Sequence, residues 1–191
     1  MNIEIDISSV IIVTKRLVLR PWRLDDLDDL FEYARVDGVG QMAGWSPHKD
    51  KEESQKILNM FIEGKKTFAL EYRGKVIGSL GIEKYREDIF PEYADKRCRE
   101  LGFVLSKDYW GQGLMPEAVE EVNRWLFEEM KLDAVFGGHF AWNTQSARAQ
   151  EKCGFHEIAR GKFETRCGTV EDCVDNILTR EDWEEHRRKI L

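Results

Sequence analysis

Hydrophobic and polar positions alternate along this chain with the two-residue period of strands in some segments and a three-to-four-residue period in others. The strand period covers residues 16–20, 67–72, 76–84, 99–105, 134–140, 157–163 and 170–178. Helical spacing of apolar residues covers 25–34, 51–63, 116–130 and 143–153. Because each period matches one backbone geometry, these segments predict the strands and helices of the fold.

The order of these elements predicts an α+β fold, a mixed and mostly antiparallel sheet of six to seven strands flanked by helices. Residues 67–72 and 76–84 flank an Arg73-Gly74 turn, which is typical of a hairpin. A helix separates 99–105 from 134–140, and such a crossover joins parallel strands. Residues 182–189 are expected to form a polar tail. No linker or repeat divides the chain, so we expect a single domain over 1–191.

The segment 104–118 joins a strand to a helix through Gly111 and Gly113, and Pro116 stands in the first helical turn. Glycine lets the backbone turn its N–H groups inward, and a helix start attracts anions. The pattern predicts a binding site for a phosphorylated ligand. An ordinary strand-to-helix turn is the structural alternative that the loop alone leaves open.

Two well-known phosphate-binding motifs do not match this loop. A P-loop needs Gly-Lys-Ser/Thr, but Gly113 is followed by Leu114 and Met115. A dinucleotide fingerprint needs a small residue where Pro116 stands. A nucleotide-binding enzyme is therefore disfavoured, although the sequence leaves it open.

Composition narrows the class of protein. The chain has 191 residues, 42% of them hydrophobic, which suffices for one full core. Its net charge of −7 argues against a nucleic-acid surface. We expect a cytoplasmic protein that does not enter a membrane, because no apolar run approaches the roughly 20 residues of a spanning helix. The four cysteines and four histidines show no zinc-ligand spacing, so no metal is expected.

Three motifs follow one another in a recognisable order: Trp110-Gly-Gln-Gly-Leu-Met115 after a strand, then Asn143-Thr-Gln-Ser146, then Lys152-Cys-Gly-Phe155. Together they resemble the GNAT N-acetyltransferases. The opening segment 14–21 and the strand 100–104 resemble the RimJ/RimL-like branch in particular. The resemblance covers about residues 14–180. Trp110 and Met115 depart from the Gln or Arg and the small residue usual at those two positions.

The resemblance implies that acetyl-CoA is the co-substrate and lies where strands 99–105 and 134–140 splay apart. Its pantetheine arm would pair with the first of these strands and its pyrophosphate would sit on the glycine loop. The implied contacts are Phe103, Val104, Leu105, Trp110, Gly111, Gln112, Gly113, Leu114, Met115, Asn143 and Ser146. Arg148 and Lys152, four residues apart on a predicted helix, are further candidates for a CoA phosphate; a solvated basic stripe is their alternative.

Acetyl transfer to an amine needs a base and a group that stabilises the departing thiolate. Glu100 opens a cleft strand and is the first candidate for the base, with His139 as the alternative. Ser146 occupies the position that in this branch lies near the thioester sulfur. Trp45 and Phe90, in irregular segments, are candidate acceptor-pocket residues. Each of these residues also has an ordinary structural alternative, as a salt-bridge, packing or capping group.

The sequence thus predicts an acetyl-CoA-dependent N-acetyltransferase that works by direct attack in a ternary complex. The expected acceptor is a primary amine, either a peptide or protein N-terminus or a small molecule such as a polyamine or antibiotic. A non-catalytic acyl-CoA-binding sensor is the main alternative. The sequence is compatible with either a monomer or a homodimer.

Overall fold

A computed structural model describes residues 1–190 and contains one sheet of eight strands in the order β1-β2-β3-β4-β5-β6-β8-β7. The strands are β1 (Ile12–Val13), β2 (Leu17–Pro21), β3 (Thr67–Tyr72), β4 (Lys75–Glu83), β5 (Cys98–Leu105), β6 (Ala134–Phe140), β7 (His156–Glu164) and β8 (Val170–Thr179). The helices are α1 (Leu27–Ala34), α2 (Lys51–Gly64), α3 (Leu114–Glu128), α4 (Thr144–Lys152) and α5 (Arg180–Ile190).

The mixed, mostly antiparallel sheet is confirmed. β5 and β6 form its parallel pair, and every other neighbouring pair is antiparallel. The sheet has eight strands where six to seven were expected. The additional strand is β1, in which Ile12 and Val13 pair with Leu19 and Val18 of β2. Two residues are too short to show a period, so the sequence did not reveal this edge strand.

Helix α3 begins earlier than the predicted residue 116. It starts at Leu114, with Gly113 as N-cap at a φ of 72°. Pro116 is therefore the third helical residue, a position where its missing N–H costs no helical hydrogen bond. The N-terminus of α3 consequently follows the glycine loop without an intervening residue.

The prediction of a polar tail at 182–189 is wrong, since these residues lie in helix α5. Its large apolar side chain Trp183 is 5% exposed and stacks on Phe127 of α3 with ring centroids 4.9 Å apart. The Arg187 guanidinium lies 5.2 Å from the centre of the Trp183 ring. A single buried aromatic residue gives no apolar stripe, so the helical period was hidden.

The two faces of the sheet carry separate cores. Leu101 and Leu105 of β5 pack with α3 on one face, whereas Val104 packs with the α1–α2 cluster on the other. A third cluster forms around Phe136 and Cys98 on the face that also holds Val104. Side chains of β5 therefore alternate between two cores, and the site residues divide between the same two faces.

Replacing Trp183 with alanine should destabilise the protein by about 3 kcal/mol, because the substitution leaves a cavity against Phe127. Urea unfolding followed by circular dichroism measures this change. Met60→Ala on α2 is the control: Met60 is 47% exposed, and its loss should cost less than about 0.5 kcal/mol. Equal stability of the two variants would mean that α5 does not dock on α3.

Candidate active site

The parallel pairing of β5 and β6 stops partway along both strands. Registered pairs run from Cys98 and Ala134 to Leu101 and Gly137, while β5 continues to Leu105 and β6 to Phe140. The expected splaying of these strands is therefore present. Gly102 and Gly138, the first residues beyond the last pair, are exposed. The gap between β5 and β6 beyond Leu101 and Gly137 is called the fork below. A Cβ added at Gly102 would meet no atom within 4 Å, so the fork opens into free space.

The glycine loop presents a run of free backbone donors. Gly111 and Gly113 both have positive φ, at 74° and 72°. Within residues 1–190, the N–H groups of 111 through 115 donate to no protein acceptor. Because they belong to the loop and the first turn of α3, where the helix dipole is positive, they suit an anionic group such as a diphosphate.

Arg16, which sequence reasoning did not select, clamps this loop from the start of β2. Its Nε lies 2.6 Å from Glu117 Oε2 and its Nη1 donates to the Gln112 carbonyl at 2.9 Å. Its Nη2 would lie 3.7 Å from a Cβ at Gly113. Because Arg16 is ion-paired with Glu117, the pair holds the loop in place without adding net charge beside the free amides.

Trp110 has a structural role in this arrangement. Its indole N–H donates to the Leu105 carbonyl at 2.8 Å, and its ring packs against both cores. The Leu105 carbonyl is thereby engaged before any ligand arrives. Phe103 and Val104 are half-buried, and their edge of β5 beyond Leu101 has no partner in β6. The side chains of Leu114 and Met115 are buried, so only their backbone can face a ligand.

Helix α4 enters the fork from the β6 side. Asn143 is its N-cap and accepts from the Ser146 N–H at 3.1 Å. The Asn143 amide also donates to the Met42 carbonyl at 3.1 Å, which ties α4 to the 3₁₀ turn Gly40–Ala43. Both polar ends of Asn143 are therefore in use, and a bond to pantetheine would have to replace or share one of them.

Glu100 lies at the mouth of the fork on the α1–α2 face. Its Oε1 would be 3.7 Å from a Cβ at Gly138, and Asp175 Oδ1 would be 3.6 Å from the same point. Burial raises the pKa of Glu100 to about 7; Arg86 opposes this shift, while Asp175 and Glu83 add to it. Asp175 is itself buried and ion-paired with Arg86. Glu100 therefore carries a carboxylate that exchanges a proton near neutral pH.

Phe90 belongs to the apolar surroundings of Glu100. It is 5% exposed, and its ring lies 5.1 Å from that of Phe136, the parallel register partner of Glu100. Tyr85 stacks on Phe136 at 4.9 Å. This aromatic cluster excludes water from one side of the carboxylate. Trp45 lies apart from this cluster, half-buried, with its ring 5.2 Å from His48.

His139 points to the opposite face of the sheet from Glu100, because neighbouring strand residues alternate and Gly138 faces Glu100. Its Nδ1 donates to the Phe140 carbonyl at 2.9 Å, since a carbonyl can only accept. Arg148 and Lys152 are exposed on α4 and make no ion pair within the described part of the chain. The structure brings Glu100 to the fork and leaves these two cations in solvent.

These features fit acetyl-CoA, with free amides for a diphosphate and an unpaired strand edge for an amide-bearing arm. Sequence reasoning missed Asp175, Arg86 and Gln150, which lie in or beside the fork; the Gly137-Gly138 pair within a strand was the available signal, since such glycines mark close approach. No cluster of three metal-ligating side chains occurs among residues 1–190. None of the helices in that range is long and apolar enough to cross a bilayer.

Comparison with known proteins places the chain among acetyltransferases. The family described as "Acetyltransferase (GNAT) domain" matches residues 16–156. An Aspergillus fumigatus FsC-acetyl coenzyme A-N(2)-transacetylase is 33% identical over 44% of this chain, and the match spans only 37% of that relative. An uncharacterized N-acetyltransferase, p20, from Bacillus licheniformis is 23% identical over 75% of this chain and 81% of its own.

A solved structure of Mycobacterium smegmatis RimJ in complex with CoA-disulfide shares the fold. Its TM-score is 0.68 at 19% identity, over 87% of this chain and 83% of that one. At this identity the likeness concerns the fold alone.

Replacing Gly113 with valine should weaken CoA binding at least about tenfold, because a β-branched residue cannot hold the positive φ that aims the loop amides. Isothermal titration calorimetry with CoA measures the affinity. Gly74→Val is the matched control, since Gly74 has a φ of 81°, has open space around it and lies in the distant β3–β4 turn. Wild-type affinity in Gly113→Val would remove the loop from the site.

Proposed function

Because this chain belongs to the GNAT acetyltransferase family, with neighbours in the RimJ-like branch, and is an acetyl-CoA-dependent acetyltransferase, we propose that it acetylates a primary amine by direct attack, with Glu100 as general base. Bound acetyl-CoA supplies the thioester as acyl donor. The observation that supports the proposal is the Glu100 carboxylate at the fork, with its pKa raised to about 7.

A base with this pKa suits the task. An ammonium must lose a proton before its nitrogen can attack, and proton transfer is most effective when the base titrates near the working pH. An ordinary surface glutamate, with a pKa of 4.5, is a much weaker base. Desolvation by the Phe136 cluster therefore makes Glu100 more basic while keeping it beside the fork.

The charge around Glu100 favours a cationic acceptor. Glu100 and Asp175 approach the same point near Gly138, and Arg86 is the cation paired with Asp175. Above its pKa, Glu100 adds a second negative charge that a single guanidinium does not neutralise. An incoming ammonium offsets that charge, whereas a neutral alcohol does not. The negative charge of the site thus favours an amine over a hydroxyl group as the acetyl acceptor.

Ser146 has a complementary role on the opposite side of the fork. It is half-buried, and its backbone is fixed by the Asn143 cap at the start of α4. A hydroxyl held there can donate a hydrogen bond to the sulfur that leaves the acetyl group. Glu100 and Ser146 then divide the reaction, one accepting the amine proton and the other stabilising the thiolate.

Glu100→Gln should lower kcat about 100-fold or more with little change in CoA affinity, since a general base accelerates a reaction roughly 10²–10⁴-fold. An acetyl-CoA turnover screen over peptide N-termini, free amino acids, polyamines and aminoglycosides first identifies the acceptor. In the wild type, kcat/KM should rise with pH through about 7, the pKa at which Glu100 loses its proton. Glu92→Gln, at an exposed site, is the control. An unchanged pH profile in Glu100→Gln would assign the base elsewhere, and no turnover with any amine would favour a non-catalytic sensor.

The same substitution should stabilise the fold at pH 8. The Glu100 carboxyl has an ordinary pKa of 4.5 and titrates near 7 in the fold, so the folded state binds more protons between these values. Wild-type stability therefore falls as pH rises through this window, by roughly 3 kcal/mol. Glu100→Gln should remove that loss at pH 8 and gain nothing at pH 4. Chemical unfolding at both pH values measures the difference; equal gains at both would contradict a raised pKa.

A further inference from the structure

Gln150 is a buried polar residue at the centre of a hydrogen-bonded chain that ends at Ser146. It lies on α4 and is 2% exposed. Its Nε2 donates to the Gly138 carbonyl at 3.1 Å and to Ser146 Oγ at 3.2 Å. Its Oε1 accepts from Asn176 Nδ2 of β8 at 2.8 Å. Both N–H donors of this amide and one of the two lone pairs on its oxygen are therefore hydrogen-bonded.

The orientation of the Gln150 amide is fixed by the Gly138 carbonyl, which can accept a hydrogen bond but cannot donate one. Gly138 offers a backbone carbonyl, which only accepts, so the NH₂ end of Gln150 must face it. A flipped amide would set two acceptors 3.1 Å apart and would lose both donor bonds. The second N–H of the same NH₂ group is then directed at Ser146, whose Oγ must accept.

Gly137 makes this placement possible. A Cβ at that position would lie 2.8 Å from Gln150 Oε1, closer than side chains approach one another. Gly137 is also the last β6 residue paired with β5. Gln150 therefore occupies space beside the point at which the strands separate.

The consequence concerns the proton of Ser146. Since Oγ accepts from Gln150, and Ser146 makes no other side-chain hydrogen bond within residues 1–190, its O–H is free to donate. We propose that Gln150, held by Asn176, is a positioning residue that keeps the Ser146 hydroxyl oriented as a donor to the CoA sulfur. This rests on the role of Ser146 in the proposed function and adds the residues that enforce it.

In the reaction, the amine nitrogen bonds to the acetyl carbon and the carbon–sulfur bond breaks, leaving its electron pair on sulfur. Glu100 takes the ammonium proton before attack and passes it to solvent, and it then takes the second proton that the nitrogen loses as the amide forms. Ser146 keeps its proton and donates a hydrogen bond to the thiolate, so no alkoxide forms. Gln150 takes no part in proton transfer and touches neither reactant.

The test is the pKa of the thiol of bound CoA, which needs no acceptor. A donor aimed at sulfur favours the thiolate and lowers that pKa. Thiolate ultraviolet absorbance of the CoA complex, recorded against pH, gives the value for wild type, Gln150→Met, Ser146→Ala and a control on the outer face of α4, Glu151→Gln. Methionine preserves the length of the side chain but donates no hydrogen bond.

Gln150→Met should raise the pKa of the bound thiol by about one unit, toward the Ser146→Ala value, because a hydrogen bond to a charged group contributes that much. The double variant should show no further rise, since Gln150 acts through Ser146. Glu151→Gln should match wild type. CoA affinity below the thiol pKa should stay within about threefold of wild type in Gln150→Met and Glu151→Gln.

The outcomes separate the two proposals. A wild-type value in Gln150→Met with a raised value in Ser146→Ala overturns the role of Gln150 alone. A thiol pKa that Ser146→Ala leaves unchanged overturns the role of Ser146 and that of Gln150 with it, while acetyl transfer stands. Absence of CoA binding overturns both proposals. If Gln150→Met fails to fold, Asn176→Leu replaces it. This variant removes the bond that holds the Oε1 end of Gln150 in place, so the NH₂ end should reach Ser146 less well and the pKa of the bound thiol should shift in the same direction. No shift there overturns the inference.

Discussion

The candidate site depends on the point where β5 and β6 stop pairing. Up to Leu101 and Gly137 the two strands satisfy one another, and beyond that pair their facing backbone groups lack a strand partner. Buried backbone polar groups need partners, so such an edge persists only where a side chain, water or ligand replaces the strand. In this protein one carbonyl beyond the fork, that of Gly138, is held by Gln150 and another, that of Leu105, by Trp110. The remaining edge is available to a ligand that carries amides.

The fork also places different chemistry on the two faces of one sheet. Residues on a strand alternate between faces, and the two cores of β5 show this directly through Leu101 and Val104. Glu100 shares its face with Phe136 and Asp175, where burial and negative charge raise its pKa. Ser146 approaches from α4, on the other face, beside the neutral amide of Gln150. A titratable carboxylate and a hydroxyl therefore approach the point where the strands diverge from opposite faces of the sheet.

Local patterns predicted much of this structure. The boundaries of β3 and β6 match the hydrophobic periods. The glycine loop was predicted from Gly111 and Gly113, and both residues have the positive φ that glycine allows. Features that depend on contacts between distant residues were not predictable. Helix α5 carries one large buried side chain, whose partner Phe127 lies 56 positions earlier. Arg86 and Asp175 meet across 89 positions, and a single sequence shows no sign of that pairing.

The pKa of Glu100 links the stability of the fold to the kind of acceptor it suits. A carboxylate that titrates near 7 destabilises the folded state above that pH. Under the proposed function, a gain in proton transfer offsets this cost. That gain depends on the donor. An α-ammonium has a pKa near 8, about one pKa unit above that of this base, so the proton transfer is only slightly uphill. A lysine ammonium has a pKa near 10.4, more than three pKa units above the base, and its proton transfer costs about 4–5 kcal/mol. Under the proposed function, the basicity of Glu100 therefore matches an α-amine more closely than a lysine side chain, unless the pocket also lowers the pKa of the lysine. With Asp175 and an ionised Glu100 at its mouth, the pocket acts in the opposite direction, because negative charge raises the pKa of a bound ammonium.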